Sequence, residues 1–221
     1  MSYFEFLQQY GPRLIDGTVV TIQQTVLAAI LAIMIALAMA LMKMSASAAL
    51  RWFAIAYIEL FRGTSLLVQL FWIFFVLPFF GVTLEPFTAG FIAVGMNLGA
   101  YGAELVRGGI LGVPRGQFEA CIALNLPPIK RFTRVIFPQA LLNMLPPWGN
   151  LLIELLKGTA LVSLISVTDL MFESKQINGS TFLSAEAFGS ALLIYYVIGR
   201  LMISPGMRWL ERHLAMKLSR G

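Results

Sequence analysis

Charge is scarce in this chain of 221 residues: only 12% of the residues are Asp, Glu, Lys or Arg, whereas 58% are hydrophobic. Soluble globular chains carry about 25% charged and about 45 to 50% apolar residues. A single core of this size could not hide the additional apolar surface, and soluble monomers rarely expose large apolar patches. The composition therefore excludes an ordinary water-soluble protein and predicts that lipid forms part of its solvent.

Cysteine and histidine are almost absent, with one residue of each, Cys121 and His213. A single cysteine excludes a disulfide within the chain, and the pair cannot build a Cys/His zinc site. The two residues lie too far apart in sequence to suggest a Cys-His nucleophilic pair. We therefore expect no catalytic residue and no metal site in this chain.

Long apolar runs are abundant. A helix needs about 20 apolar residues to cross a hydrocarbon core about 30 Å thick. The runs predict an all-α integral membrane protein with five transmembrane helices, at about 19–42, 52–80, 86–107, 148–172 and 187–209. The polar segment before the first run lacks a cleavage site and is expected to be a short interfacial helix of the mature protein.

Residues 108–147 mix Gly, Pro and charged residues with apolar ones, which predicts a loop with amphipathic helices between spans 3 and 4. The whole chain, 1–221, is expected to be one domain that contains this loop. No internal repeat or low-complexity tract is evident.

The basic residues predict the orientation, because Lys and Arg in short loops stay on the cytoplasmic side. Most of them fall on the side that holds the 108–147 loop and the C-terminus: Lys43, Arg51, Arg107, Arg115, Lys130, Arg131, Arg134, Arg208, Arg212, Lys217 and Arg220. The opposite side has only Arg13 and Lys175. The N-terminus is therefore predicted outside and the C-terminus inside, so the net charge of +5 reflects orientation and requires no nucleic-acid partner.

Several ionisable residues lie inside or at the edges of the predicted spans. An ionised group at the bilayer centre costs about 2.5 to 3.5 kcal/mol even on the lenient insertion scale, so such groups must face protein, water or each other. Counting depth from the cytoplasmic side predicts an ion pair between Arg62 and Glu104. Two interpretations stay open: these charges are structural ion pairs that fix helix register, or they line a path for a small charged or zwitterionic solute.

Small residues mark one face of the third predicted span. Gly95 and Gly99 form a small-xxx-small pattern, which predicts that another helix packs closely against this face. Asn97 lies between them, and an amide in a span needs a partner or water.

The loop contains a short helix with a small-residue face that begins near Glu119. An acid in the first turn suits the helix dipole. A helix of this kind is suited to fill a groove on a partner protein, whereas an interfacial helix lying on lipid would show a large apolar face flanked by basic residues. The residues expected to make this contact are Gly116, Gln117, Glu119, Ala120, Ala123 and Asn125.

Four segments, in order, resemble the membrane-spanning permeases of binding-protein-dependent ABC importers, in particular the polar amino acid subfamily. The family's cytoplasmic signature is Glu-Ala-Ala, three residues, Gly, nine residues, then Ile-x-Leu-Pro. The corresponding residues here are Glu119-Ala120-Cys121, Asn125 in the Gly place, and Val135-Ile136-Phe137-Pro138. The other segments begin at Arg62-Gly-Thr-Ser65, at Tyr101-Gly-Ala-Glu104 and at Lys157-Gly-Thr-Ala160, with Ser65 and Ala160 as departures. Asn tolerates the left-handed conformation that the Gly place requires.

The resemblance implies a transport subunit that is not itself an enzyme and binds no cofactor. The sequence agrees, because none of its lysines completes the Gly-x4-Gly-Lys-Ser/Thr pattern of a phosphate-binding loop. ATP and Mg would be held by a cytoplasmic ATPase dimer that docks on the Glu119 helix. The other implied partners are a second permease, identical or paralogous, and an extracytoplasmic solute-binding protein, all at the bacterial inner membrane.

The resemblance and the predicted depth together suggest a substrate path for a polar amino acid or related small zwitterion, taken up by alternating access. Glu154 and Lys157 would offer an acceptor and a donor one helical turn apart. The full set of path candidates is Gln69, Asn97, Glu104, Glu154, Lys157, Thr159, Ser163 and Asp169.

Other functions stay open at this point. Ser65 and Ala160 suggest an importer of ectoine-type compatible solutes as one alternative. An ion-coupled secondary carrier and a structural partner subunit are alternatives of another class, although such carriers usually show inverted repeats and more spans.

Overall fold

The structure, a computed structural model, describes residues 3–218, with side chains as far as residue 216. Arg220 and the side chain of Lys217, both used above for orientation, lie outside this described part. Within it the chain is helical without strands, and the helices are α1 (Tyr3–Lys43), α2 (Ala48–Gly63), α3 (Leu66–Phe71), α4 (Pro86–Leu111), α5 (Arg115–Ala123), α6 (Pro128–Arg131), α7 (Phe137–Thr159), α8 (Leu170–Thr181), α9 (Ser184–Tyr196) and α10 (Ser204–Leu218).

Helix α1 is one continuous helix of 41 residues. At a rise of 1.5 Å per residue it is about 60 Å long, about twice the hydrocarbon thickness. The expected separate interfacial helix before residue 19 is therefore wrong. The first turns of α1 are held because Phe6 and Leu14 are buried in a cluster with Leu170 and Ile177 of α8.

Close packing of α1 on α4 forms the centre of the fold. The residues of α1 that face α4 are small and fully buried at every fourth position: Ala28, Ala32, Ala36 and Ala40. A Cβ placed on Gly99 of α4 would lie 2.8 Å from Cγ2 of Ile35, and one on Gly95 would lie 3.0 Å from Cβ of Leu31. The close approach predicted for Gly95 and Gly99 is confirmed, and α1 is the helix that makes it.

The second predicted span is broken. Helix α2 ends at Gly63, and α3 begins at Leu66 after a bend of 107°. The chain is extended at Thr64 and Ser65, which lie in the Arg62-Gly-Thr-Ser segment. After α3, the chain continues as a π-helix, Trp72–Val76, and a 3-10 helix, Leu77–Phe80.

Helix α7 begins at Phe137, eleven residues before the predicted start of the fourth span. A π-helix, Phe132–Ile136, joins it to α6, so the helical run of span length is Pro128–Ile165. Pro138 occupies the first turn of α7, directly after the π-helical segment, and Pro146 and Pro147 lie inside α7. The prolines had suggested a loop, whereas the helix continues through all three.

The fourth span also ends earlier than predicted. A 3-10 helix, Ala160–Ile165, follows α7, and Ser166 has a left-handed conformation, φ 66°. Asp169 then caps α8, so the predicted continuation to residue 172 is wrong.

The last span is one helical run, Ser184–Met216, which continues through Pro205 and Gly206. A π-helix, Val197–Ile203, precedes Pro205 and alters the hydrogen-bond pattern just before a residue that has no N–H to donate. Four helical runs of the described chain are thus long and apolar enough to cross a membrane, and α2 with α3 makes a fifth if the bent pair is one span. The predicted count of five agrees with the structure on that basis.

Candidate functional site

Helix α5 presents most of its surface to solvent. Cys121 is 3% exposed and, with partly buried Phe118, attaches the helix to the bundle. The residues predicted for the docking face are all exposed: Gly116, Gln117, Glu119, Ala120, Ala123 and Asn125. Ile122 and Leu124 are also exposed, at 59% and 73%. This short helix therefore combines one acid with apolar side chains that have no cover within the described chain.

The turn after α5 has the geometry expected from its asparagine. Asn125 adopts a left-handed conformation with φ 51°. The N–H of Leu126 donates to the carbonyl of Cys121 at 3.0 Å, which closes the C-terminal end of the helix. The expectation that Asn125 takes over the conformation of the family's Gly is confirmed.

Glu104 is held by two cations other than the predicted one. Its carboxylate pairs with Lys43 at the end of α1 and, at 3.0 Å, with Arg107 one turn along α4. The predicted Arg62–Glu104 ion pair is therefore wrong. The three charged groups join the C-terminal ends of α1 and α4.

Arg62 of α2 instead lies over the ring of Tyr101, one turn before Glu104 on α4. Its Cζ is 5.4 Å from the ring centroid, a cation–π distance. The assumption that Arg62 and Glu104 lie at equal depth was wrong, because α2 crosses α4 at a different level. The hydroxyl of Tyr57 on α2 donates to the carbonyl of Met96 on α4 at 2.8 Å. Lys43 instead reaches Glu104 from the closely packed α1.

Two predicted path residues, Gln69 and Asn97, hold the broken second span against α4. The amide of Asn97 donates to Oε1 of Gln69 at 2.9 Å and to the carbonyl of Phe61 at 3.0 Å. Gln69 donates in turn to the Phe61 carbonyl at 3.0 Å and to Oγ1 of Thr64 at 2.6 Å. The network supplies hydrogen-bond donors to the end of α2, where the bend leaves backbone carbonyls without helical partners.

Glu154 and Lys157 are exposed on α7, inside a helical run of span length. They lie one turn apart but form no ion pair with each other, and no oppositely charged group of the described residues lies within 4.0 Å of either. Because lipid would not accommodate these charges cheaply, this face of α7 requires water, solute or another chain.

Thr159, Ser163 and Asp169 are buried where α7 meets α8. The hydroxyls of Thr159 and Ser163 donate to carbonyls one turn back, at 2.7 and 2.8 Å. Asp169 is fully buried and accepts the N–H of Phe172 at 2.9 Å, which caps α8. These residues hold the helix junction.

Asp169 lies between the fourth and fifth helical runs of span length, outside both. Burial raises the pKa of this carboxyl to about 6, although backbone donors, the Tyr195 hydroxyl and the charge of Lys175 act in the opposite direction. The hydroxyl of Tyr195 on α9 lies 3.4 Å from Oδ2 of Asp169. Protonation of Asp169 can therefore occur near neutral pH.

Sequence reasoning missed three polar residues in the membrane region. Lys43 had been counted as a loop cation, although it is the last residue of α1 and pairs with Glu104. Gln24 is fully buried and donates to the carbonyl of Phe87 at 2.8 Å. Tyr195 gave no sequence signal, because a tyrosine in an apolar run is usually at the interface.

The arrangement defines a polytopic α-helical membrane protein with an exposed helix between its third and fourth spans. Among the described residues, no group of three or more His, Cys, Asp or Glu could hold a metal ion. The chain belongs to the family described as binding-protein-dependent transport system inner membrane component, whose model matches residues 21–216. It is therefore a permease component of the bacterial inner membrane.

Curated relatives match over most of the chain. The chain is 43% identical over 217 residues to the probable amino-acid ABC transporter permease protein y4tF of Sinorhizobium fredii, with 96% of this chain and 89% of the relative covered. It is 43% identical over 170 residues to the L-cystine transport system permease protein TcyB of Bacillus subtilis, with 77% and 73% covered. It is 37% identical over 199 residues to a putative glutamine transport system permease protein of Rickettsia felis, with 88% and 91% covered.

Solved structures show the same fold. A chain in the crystal structure of an amino acid ABC transporter with histidines matches with a TM-score of 0.89 and 37% identity, covering 96% of this chain and 99% of the other. The inward-facing MetNI methionine ABC transporter matches with a TM-score of 0.78 at 20% identity, covering 91% and 96%, which shows the fold alone.

Proposed function

We propose that this chain is the permease subunit of an ATP-driven ABC importer that takes up a polar amino acid or related small zwitterion. The solute would be delivered by an extracytoplasmic solute-binding protein and released inside by alternating access. The observation that carries this proposal is the similarity over the whole chain to an amino acid ABC transporter, at 37% identity and a TM-score of 0.89. The curated relatives named for amino acid, cystine and glutamine transport support the solute class.

The exposed face of α5 is the proposed contact with the ATPase. Glu119 and the surrounding small residues are exposed, and the apolar Ile122 and Leu124 lie beside them. Exposed apolar side chains grouped in this way are typical of a protein contact. ATP and Mg would be bound by the partner ATPase dimer, so closure of the ATPases would move α5 and, through it, the adjoining ends of α4 and α7.

A second permease, identical or paralogous, is proposed to cover the exposed charges of the spans. Glu154 and Lys157 on α7 and Arg62 on α2 are exposed in this single chain. A bundle of two permeases would place such residues around an internal, hydrated path. The proposed orientation, with the N-terminus outside and α5 inside, follows from the distribution of Lys and Arg.

The path candidates now differ in character. Glu154 and Lys157 are exposed and unpaired among the described residues, so they are the proposed solute contacts. Gln69, Asn97, Glu104 and Asp169 are engaged in internal bonds. We assign these four a structural role first, and direct contact with solute only in a state where those bonds open.

The test of the proposal is a charge reversal on α5. The permease is co-expressed with its candidate ATPase and solute-binding protein, and Glu119→Lys is expected to reduce ATPase recovery on affinity purification and to abolish ligand-stimulated ATP hydrolysis. Glu85→Lys is the matched control, because Glu85 is exposed at the opposite end of α4. Undiminished ATPase recovery with Glu119→Lys, or solute uptake driven by an ion gradient without ATP, would contradict the proposal.

The alternatives have less support. Membership of a binding-protein-dependent family does not favour an ion-coupled secondary carrier. The relatives are named for amino acids, which does not favour an ectoine-type solute.

A further inference from the structure

A groove of about 860 Å³ runs between α7 and α9. Its walls are mostly apolar, with Ile153 and Leu156 on one side and Phe188 and Leu192 on the other, and Met171 of α8 at one end. The volume falls in the range of about 300 to 1,000 Å³ that is typical of small-molecule sites.

Two cations, Lys157 and Arg200, line this apolar groove. Both are exposed, and neither lies within 4.0 Å of a carboxylate of the described residues. No Asp or Glu is among the lining residues described. Asp169 lies behind Tyr195 and is fully buried. The groove therefore has a net positive charge, with the hydroxyls of Tyr195 and Tyr196 as further polar groups.

The position of the groove along its helices does not favour a lipid headgroup as the natural counter-ion. Arg200 is near the middle of the helical run Ser184–Met216, about 24 Å from either end at 1.5 Å per residue. A Cβ placed on Gly199 would lie 3.7 Å from side-chain atoms of Ile153 and Leu156, so α7 runs beside this helical run at the level of Arg200. Phospholipid headgroups lie at the interface, about 15 Å from the bilayer centre.

Arg200 lies in the π-helical segment Val197–Ile203, which precedes Pro205. The cost of an unpaired cation at this depth would be removed by an anion bound in the groove.

We infer that this groove binds the carboxylate of the transported solute between Lys157 and Arg200, and that it selects neutral or acidic amino acids over those with a cationic side chain. The inference rests on the proposed function and specifies its solute class. Guanidinium and ammonium groups together can hold both oxygens of a carboxylate, and the apolar walls exclude competing water. Glu154, the other proposed solute contact on α7, would accept the one ammonium of a neutral or acidic solute, and no carboxylate lines the groove to offset a second cation.

A contact with the partner permease is the competing explanation of these two cations. Helices pack ridges into grooves, so a partner helix that carries a carboxylate could also occupy the recess that Lys157 and Arg200 line. The experiment therefore has to separate the two occupants.

The experiment measures equilibrium binding of radiolabelled glutamine to the purified permease–ATPase complex without the solute-binding protein. Competition by glutamine, its α-methyl ester, glutamate and lysine is compared in the wild type, in Lys157→Gln/Arg200→Gln and in the control Arg212→Gln. Arg212 is exposed on the same helical run but outside the groove. The wild type and the control are expected to bind glutamine at least about tenfold more tightly than its ester.

The double variant is expected to lose this discrimination, because the ester lacks the carboxylate charge that the two cations recognise. Lysine is expected to compete at least about tenfold more weakly than glutamate in the wild type. Unchanged discrimination between glutamine and its ester in the double variant would overturn the inference and leave the proposed function standing. Dissociation of the permease pair by the double substitution, seen by size-exclusion chromatography with light scattering, would assign the cations to the partner instead. A wild-type complex that binds no amino acid would contradict the proposed function as well.

Discussion

Replacing Asp169 by Asn separates the two things that this residue does. Its carboxylate caps α8 by accepting the N–H of Phe172, and its burial raises its pKa from 3.8 to about 6. Asn is as good an N-cap as Asp, but it cannot ionise. The variant therefore keeps the cap and removes the charge.

The expected magnitude follows from the pKa. The folded protein prefers the protonated carboxyl, because the folded-state pKa lies above the ordinary value. This contribution to stability is complete below a pH of about 3.8 and is lost as the pH rises through about 6. At 1.36 kcal/mol for each pKa unit, full ionisation costs about 3 kcal/mol of unfolding free energy. Asp169→Asn should escape this loss.

The assay is thermal unfolding in detergent between pH 5 and pH 8. About half of the loss falls within this range, because the unfolded chain is already ionised at pH 5. The melting temperature of the wild type should therefore fall relative to that of Asp169→Asn as the pH rises, by up to about 3 to 6 °C if each kcal/mol is worth about 2 to 4 °C in a chain of this size. Asp16→Asn is the control, because Asp16 is an exposed acid of α1. If Asp169→Asn keeps the pH dependence of the wild type, the reasoning from burial is refuted.

Two further predictions concern the junction of α1 and α4. Glu104→Gln should destabilise the permease in detergent by about 1 to 3 kcal/mol, because it leaves two cations without a carboxylate. Lys43→Met should cost less, because Glu104 stays paired with Arg107. Equal melting temperatures for the two variants would argue against the three-group arrangement. Gly99→Ala should reduce the stability by about 1 to 3 kcal/mol and lower the melting temperature, because its Cβ would lie 2.8 Å from Ile35. The control Gly108→Ala, whose Cβ would have nothing within 4 Å, should be neutral or stabilising by up to about 1 kcal/mol. A neutral Gly99→Ala would show that α1 moves away at little cost.

The spans could be predicted from the sequence because the apolar runs are long, and lipid leaves few backbone options. The ends and bends of the helices within these spans could not be predicted. Proline and charge had suggested a loop up to Pro147, yet Pro138 sits in the first turn of α7, where proline is tolerated. The 107° bend at Thr64 and Ser65 gave no signal beyond one glycine and two small polar residues. Helix ends depend on tertiary packing more than on local preference.

The candidate site could be predicted in part. The exposed small-residue face of α5 followed from residue types within one short segment, and the left-handed Asn125 followed from its place in the signature that the segment resembles. The cation that pairs with Glu104 could not be predicted, because it depends on the angle at which the helices cross. Arg62 and Lys43 were both basic residues near the right depth, and only the close approach of α1 to α4 brings Lys43 to the carboxylate.

The exposed charges of the spans favour an assembly over a single chain in lipid. Glu59 and Arg62 of α2, Glu154 and Lys157 of α7, and Arg200 are all exposed in helical runs of span length. At about 2.5 to 3.5 kcal/mol for each ionised group at the bilayer centre, together they would cost on the order of 10 kcal/mol, which is comparable with the whole stability of an ordinary domain. The charges of both signs can be hydrated or paired only if these faces turn away from lipid. A second permease around a shared aqueous path meets this requirement.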